Sequence, residues 1–280
     1  MDSLILDNEP TIRLGFFLGV LAAMAVWELA APRRRLVASR ALRWLSNLAV
    51  VILGTGLLRL IFPVLAVGLA SLAELRGWGL FNAFEVPSWL AFVASVVVLD
   101  LAIYLQHVIF HAVPILWRLH MMHHTDRDFD VTTGVRFHPF EAVLSMVIKL
   151  AVIAALGPPA VAVVVFEVVL SITSLFNHGN VRMAPGLDRA LRLIVVTPEM
   201  HRVHHSLHPH ETNSNFGFNL PWWDRLFGTY RAQPAEGHRD MTIGLSQFQD
   251  RGPENLWWML VLPFRGETGA YPINRRSSGS

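Results

Sequence analysis

Three stretches of this chain, residues 12–31, 45–73 and 86–113, are each long enough for the roughly 20 apolar residues of helix that cross a bilayer core. The first carries only Arg13 and Glu28, both near its ends, and the second only Arg59. Each can span alone. A fourth region is apolar over 142–156 and again over 158–177, with Gly157-Pro158-Pro159 between, a sequence that a continuous helix tolerates poorly. It reads as a helical hairpin whose first arm is short. Composition agrees, with 53% of the 280 residues hydrophobic and 16% charged, well outside the range of an ordinary soluble domain.

The N-terminal run is preceded by Asp2, Asp7 and Glu9 and followed by no small-residue cleavage site, so it is expected to stay in the mature protein. Directly after it come Arg33, Arg34, Arg35, Arg40 and Arg43, which the positive-inside rule places in the cytoplasm. The N-terminus is then outside, and every histidine cluster falls on the cytoplasmic side. The expected fold is all-α: a small transmembrane bundle of three spans plus the hairpin, under a cytoplasmic helical cap formed by about 114–140 and 178–254. Residues 188–196 are a candidate amphipathic helix, and 255–264, with Trp257 and Trp258, a candidate interfacial one. The RRSSGS tail is expected to be disordered.

There is no Cys, so any metal site must use nitrogen or oxygen ligands. A net charge of +2, with no basic stretch interleaved with aromatics, argues against nucleic acid. Eight of the thirteen His residues form three clusters: His107-x3-His111, His120-x2-His123-His124 and His201-x2-His204-His205. Spacings of three and four share a helical face, and Thr197 before Pro198 signals a helix start ahead of the last cluster. Packing explains this poorly, because each buried imidazole needs a partner. Surface His tracts that capture metal loosely are contiguous and flexible, and these clusters are periodic. One tetrahedral zinc would not use eight ligands, whereas two ions would. His178, level with these clusters, is a ninth candidate. His138 is read as structural, and His208, His210 and His238 as solvated surface.

The three clusters resemble the histidine boxes of the fatty acid hydroxylase/sterol desaturase superfamily. Arg136-Phe-His-Pro-Phe-Glu141, Asn213-Ser-Asn-Phe-Gly217 and Trp223-Asp-Arg-Leu-Phe-Gly-Thr-Tyr230 resemble that family's other segments, so the likeness covers roughly 95–231. It implies a di-metal centre in a helical cap above a membrane bundle, with lipid substrates entering from the bilayer. Where related fatty acid 2-hydroxylases have a further His four positions before His178, this chain has Ser174, so a ten-ligand set does not carry over whole.

The zincin pattern His-Glu-x-x-His and the Glu-x-x-His pairs of soluble di-iron proteins are both missing. All-imidazole ligation suits two iron ions that take up O2 and electrons and oxidise an unactivated C–H bond. Hydroxylation of a fatty acyl, sterol or related lipid is the expected outcome. Desaturation at the same centre is the runner-up, and a metal-binding membrane protein without oxygenase activity is the third reading. No flavin, haem or nicotinamide motif is visible, so electrons are expected from a separate ferredoxin- or cytochrome-like donor with its reductase. Arg202, Arg225, Arg231 and Arg239 are candidates for its docking face, with solvated Arg the plainer alternative. Asp100 and Tyr104 share a face with His107 and His111, and they are expected, with Asn177 and Asn180, to support the ligands from behind.

Overall fold

Proline and glycine divide the chain into its helices. A computed structural model describes residues 2–84, 86–250, 252–265 and 267–274, so the RRSSGS tail lies outside the described residues. The elements that position the site are α1 (Glu9–Ala30), α2 (Arg40–Ile61), α3 (Ala66–Arg76), α4 (Ser88–Ala112), α5 (Pro114–His124), α6 (Pro139–Leu156), α7 (Ala160–Asn177), α8 (Pro198–His204) and α9 (Leu256–Arg265). Among the described residues there is no strand, and the two isolated bridges pair Pro32 with Val181 and Ser206 with Ile243.

Among the described residues, five helical segments are long and apolar enough to cross a membrane: α1, residues 40–83 taken together, α4, α6 and α7. Their outer faces are apolar, with Leu18, Leu29, Ile52 and Leu60 all turned outward. A soluble protein would not leave such a surface bare, and the chain is an integral membrane protein. Burial identifies the middle of the bundle. In α7, 56% of the apolar window is enclosed, against 11% in α1, because α7 packs against α1, α3 and α4 at once.

Three expected elements differ. The run at 45–73 is not one helix: α2 begins earlier, at Arg40 after the Ser39 cap, and ends at Ile61. Pro63 has no N–H to continue the ladder, and the chain restarts as α3 against α6 and α7. The first arm of the expected hairpin is not short either, since α6 and α7 each have 18 residues. His138 caps α6 by accepting from the Phe140 N–H, and Pro139 takes the first helical position. Between α6 and α7, Gly157 has φ +62°, and a Cβ there would lie 2.1 Å from the Trp78 carbonyl oxygen. The candidate amphipathic helix at 188–196 is also displaced, to Pro185–Leu191, followed by turns.

Beyond the membrane helices a buried ionic anchor fixes α5. Arg43 Nε and Nη2 donate to the two oxygens of Asp126 at 2.7 and 2.8 Å, and Nη1 to Asp130 at 2.6 Å. Burial alone would raise the Asp126 carboxyl, but Arg43 overcomes it and takes it down to about 2. Arg136, also buried, donates to the carbonyls of Met122 and Pro253 and to Asn47. These bonds tie the end of α5 to α2 and to the segment leading into α9.

Candidate metal centre

The break at Val113-Pro114 turns α5 back across the end of α4, so the first two histidine clusters face each other. Thr197 caps α8 by accepting from the Met200 N–H at 3.3 Å, and α8 brings the third cluster beneath the other two. His178 closes α7. All nine imidazoles are buried, and they fall into two groups: His107, His111, His120, His124 and His204 in one, His123, His178, His201 and His205 in the other. Within each group every ring offers one nitrogen, and these lie within 4.8 Å of one another.

Helix geometry explains the sorting. Residues four apart differ by about 40° around a helix, so His120 and His124 point together, as do His201 and His205. The odd member of each triplet, His123 or His204, is about 100° from its successor and turns to the other group. His-x2-His-His is thus a two-direction pattern.

The outer ring nitrogens set which nitrogen is free. Nδ1 of His107 donates to the Phe216 carbonyl, that of His204 to Ser214 and that of His178 to Ser174, each at 2.7 Å. His120 Nδ1 donates to Glu141 Oε1 at 2.7 Å, and His111 Nδ1 to Asn213 Oδ1 at 3.0 Å. A neutral imidazole has one proton, so Nε2 in these rings carries a lone pair. Yet Nε2 of His107 stands 3.1 Å from Nε2 of His120. Two nitrogens sharing a first-row ion at about 2.1 Å can stand at that separation. One proton could fill that gap, but His204 Nε2 and both nitrogens of His205 also lack a partner. The donor set fits metal ions.

Burial first, and then neighbouring imidazoles, push His123, His124, His201 and His205 well below the ordinary histidine range. Burial brings His178 down to about 4 against its bond to Ser174. All five are neutral at pH 7, the state that ligates.

The supports are not those expected. Asp100 touches no histidine: its Oδ2 accepts from Trp223 Nε1 at 2.7 Å and from the Leu220 N–H. Tyr104 bonds to Thr229 and stacks on Phe227. Both hold the 216–230 segment, because their side of α4 faces that loop. Asn177 donates to the Phe218 carbonyl, and Asn180 bonds to the backbone of Arg34. The groups behind the histidines are Glu141, Asn213 and the carbonyls of Ser174, Ser214 and Phe216. All but Ser174 lie in or beside the segments that carry the family resemblance, which was the available signal; no spacing rule reveals a carbonyl's partner.

Asn213-Ser-Asn-Phe-Gly217 is shaped for this task. Asn215 sits at φ +52°, a left-handed conformation that Asn tolerates, and its side chain bonds the backbone of Met200 and Arg231. Asp224 accepts from the N–H groups of Phe216 and Gly217 at 2.8 and 2.9 Å. His138 anchors α9 through the Leu260 carbonyl, a structural part. His238 is not solvated surface: it is buried 3.0 Å from Glu199. Arg202 is also buried, between Glu199 and the Phe129 ring, so it offers no docking surface.

A cavity of about 350 Å³ reaches His107 and His120 from the membrane bundle. Its walls come from α1, α2, α4, α6 and α7.

A membrane bundle with a buried polyhistidine site at the end of an apolar cavity is the class of protein these features define. Residues 92–229 match the fatty acid hydroxylase family model. The ornithine lipid hydroxylase OlsE of Rhizobium tropici is 29% identical over 234 residues, covering 81% of this chain and 69% of that protein. The alkylglycerol monooxygenases of Danio rerio and Homo sapiens are each 28% identical, over 188 and 175 residues. Those matches cover 65% and 61% of this chain but only 40% and 38% of the relatives, so the chain spans well under half their length. No solved structure matches. The chain belongs to the fatty acid hydroxylase superfamily.

Proposed function

We propose that this protein is a membrane di-iron oxygenase that hydroxylates a C–H bond of a lipid-like substrate, using O2 and electrons from a separate donor protein. The carrying observation is the convergence of nine buried imidazoles, with unspent nitrogens, in two groups, the first of which meets a largely apolar cavity at His107 and His120. His107, His111, His120, His124 and His204 hold one ion; His123, His178, His201 and His205 hold the other. Iron bound there supplies O2 activation and hydrogen removal from an unactivated C–H bond. The chain's own part is to orient five of the rings through Nδ1, to keep bulk water from the buried nitrogens, and to bring a carbon chain up to His107 and His120. The relatives named as hydroxylases and monooxygenases support oxygen insertion.

The bundle is read as three spans, the second broken at Pro63, plus the α6–α7 hairpin, with 114–140 and 178–254 as the cap. Arg33 bonds to Glu199 and Arg34 to the carbonyls of His238 and Met241, so the basic loop lies at the same end as the histidines. With that loop inside, the site faces the cytoplasm and the N-terminus is outside. Such a site receives electrons from a cytoplasmic ferredoxin- or cytochrome-like protein and its reductase.

The test is turnover under 18O2 with a chemical reductant and extracted membrane lipids. One labelled oxygen per product molecule is the expected result. An unlabelled product lighter by two hydrogens would make the protein a desaturase, and no oxygen uptake by iron-loaded protein would end the oxygenase reading.

A further inference from the structure

At the cavity end remote from the histidines lies an ion cluster that metal binding does not use. Glu167 of α7 receives Lys149 of α6 on Oε1 at 2.6 Å and faces Arg13 of α1 across 3.1 Å on Oε2. Arg13 also pairs with Glu9 at 2.5 Å. Ionisable groups inside a membrane bundle are costly and mark functional sites by default. Arg13, Lys149 and Glu167 line the same cavity as His107 and His120.

The arrangement along α6 is directional. Glu141, Ser145 and Lys149 follow one another at four-residue spacing, hence on one helical face, and all three line the cavity. Glu141 marks the histidine end. Ser145, paired with Gln106 at 3.0 Å, marks the middle. Lys149 stands eight residues from Glu141, about 12 Å along the axis. Its ammonium has three donors, of which Glu167 takes one. The two cations and two carboxylates balance, so the cluster offers hydrogen-bond donors without net charge. That combination suits an uncharged acceptor better than an anion.

We propose that Lys149, held in place by Glu167 and Arg13, donates a hydrogen bond to an ester or amide carbonyl of the lipid substrate. The carbonyl is thereby set about 12 Å from the histidine end. The position of attack is then measured from that carbonyl. The inference rests on the oxygenase reading only for what happens at the histidine end.

The experiment is photo-crosslinking of the full-length protein in nanodiscs, which needs neither metal nor turnover. The probes are a long-chain fatty acid methyl ester with a diazirine beside the carbonyl, the same chain as a free carboxylate, and a diazirine hydrocarbon without the ester. The ester probe is expected to label peptides containing Lys149 or Glu167. Labelling should fall about tenfold in Lys149→Met, as for loss of one hydrogen bond to a charged donor, and return in Lys149→Arg. The hydrocarbon should label the wild type and Lys149→Met alike. Should Lys149→Met not fold, Lys149→Met with Glu167→Gln leaves no unpaired buried charge and carries the same expectation. Unchanged ester labelling in these variants, or stronger labelling by the carboxylate, overturns the proposal. A failed 18O2 experiment with intact Lys149-dependent labelling would instead remove the oxygenase reading and leave the subsite.

Discussion

Glu141 Oε1 accepts a 2.7 Å hydrogen bond from Nδ1 of His120, fixing from α6 a ring that belongs to α5. The other Glu141 oxygen has no partner, so the carboxylate's whole hydrogen-bonding effort falls on one ring. Such a carboxylate fixes the tautomer and makes the opposite nitrogen a better donor to metal. Glu141→Ala is expected to lower metal affinity about 10- to 100-fold, measured by competition with a chelator of known strength. Affinity equal to the wild type would mean that Glu141 does not position His120.

Gly134 lies against the other group. A Cβ there would come within 2.4 Å of the Ser174 carbonyl oxygen and 3.2 Å of His178 Nδ1, the two atoms whose bond holds His178 in place. Gly134→Ala should therefore disturb the His123, His178, His201 and His205 group and spare the other. Metal analysis is expected to show loss of one of the two ions. Loss of both, or of neither, would contradict the two-group division.

The helix breaks and the gathering of the histidine clusters were legible in the sequence because their signals are local. Pro114, Thr197-Pro198 and Gly157-Pro158-Pro159 each end or start a helix through the residue's own backbone chemistry, and the structure breaks the chain at each. Pro63 carries the same signal, and the apolar run around it masked it. What stayed hidden is non-local. Asp100 shares a helical face with His107, but the loop carrying Trp223 covers that face. The partners of His107 and His204 are main-chain oxygens of residues 109 and 10 positions away. Likewise His238 looked like surface until Glu199 was found beside it.

Orientation is open to a direct test because the chain has no native Cys. Ser3, Ser71 and Ser246 are exposed, whereas Ser206 is buried and unsuited to labelling. With single cysteines at 3 and 246, an impermeant thiol reagent on intact cells should label 3, and label 246 only after the membrane is opened. The reverse pattern would place the histidine groups outside, despite Arg33 and Arg34.

Asp224 supplies the last prediction, since it controls two of the clustered histidines without touching either. Its Oδ1 accepts from the Phe216 N–H at 2.8 Å and the Thr229 hydroxyl at 2.7 Å, and its Oδ2 from the Gly217 N–H at 2.9 Å. Those bonds hold the turn whose carbonyls, Ser214 and Phe216, receive Nδ1–H of His204 and His107. In Asp224→Asn the side chain keeps one acceptor oxygen and gains an NH2 group. Whichever way it flips, a backbone N–H or the Thr229 hydroxyl then meets a donor. A buried donor left unsatisfied costs about 1–3 kcal/mol, so the variant should be less stable than the wild type by an amount of that order and melt earlier. The loss should be selective at the metal sites, because His107 and His204 both belong to the five-histidine group. Reduced occupancy of that site, with the four-histidine site still loaded, is the expected result, read by metal analysis after gentle chelation. Combining Asp224→Asn with Gly134→Ala should then empty both sites. If the double variant keeps an ion that neither single change removes, the turn at 213–217 does not govern the five-histidine group.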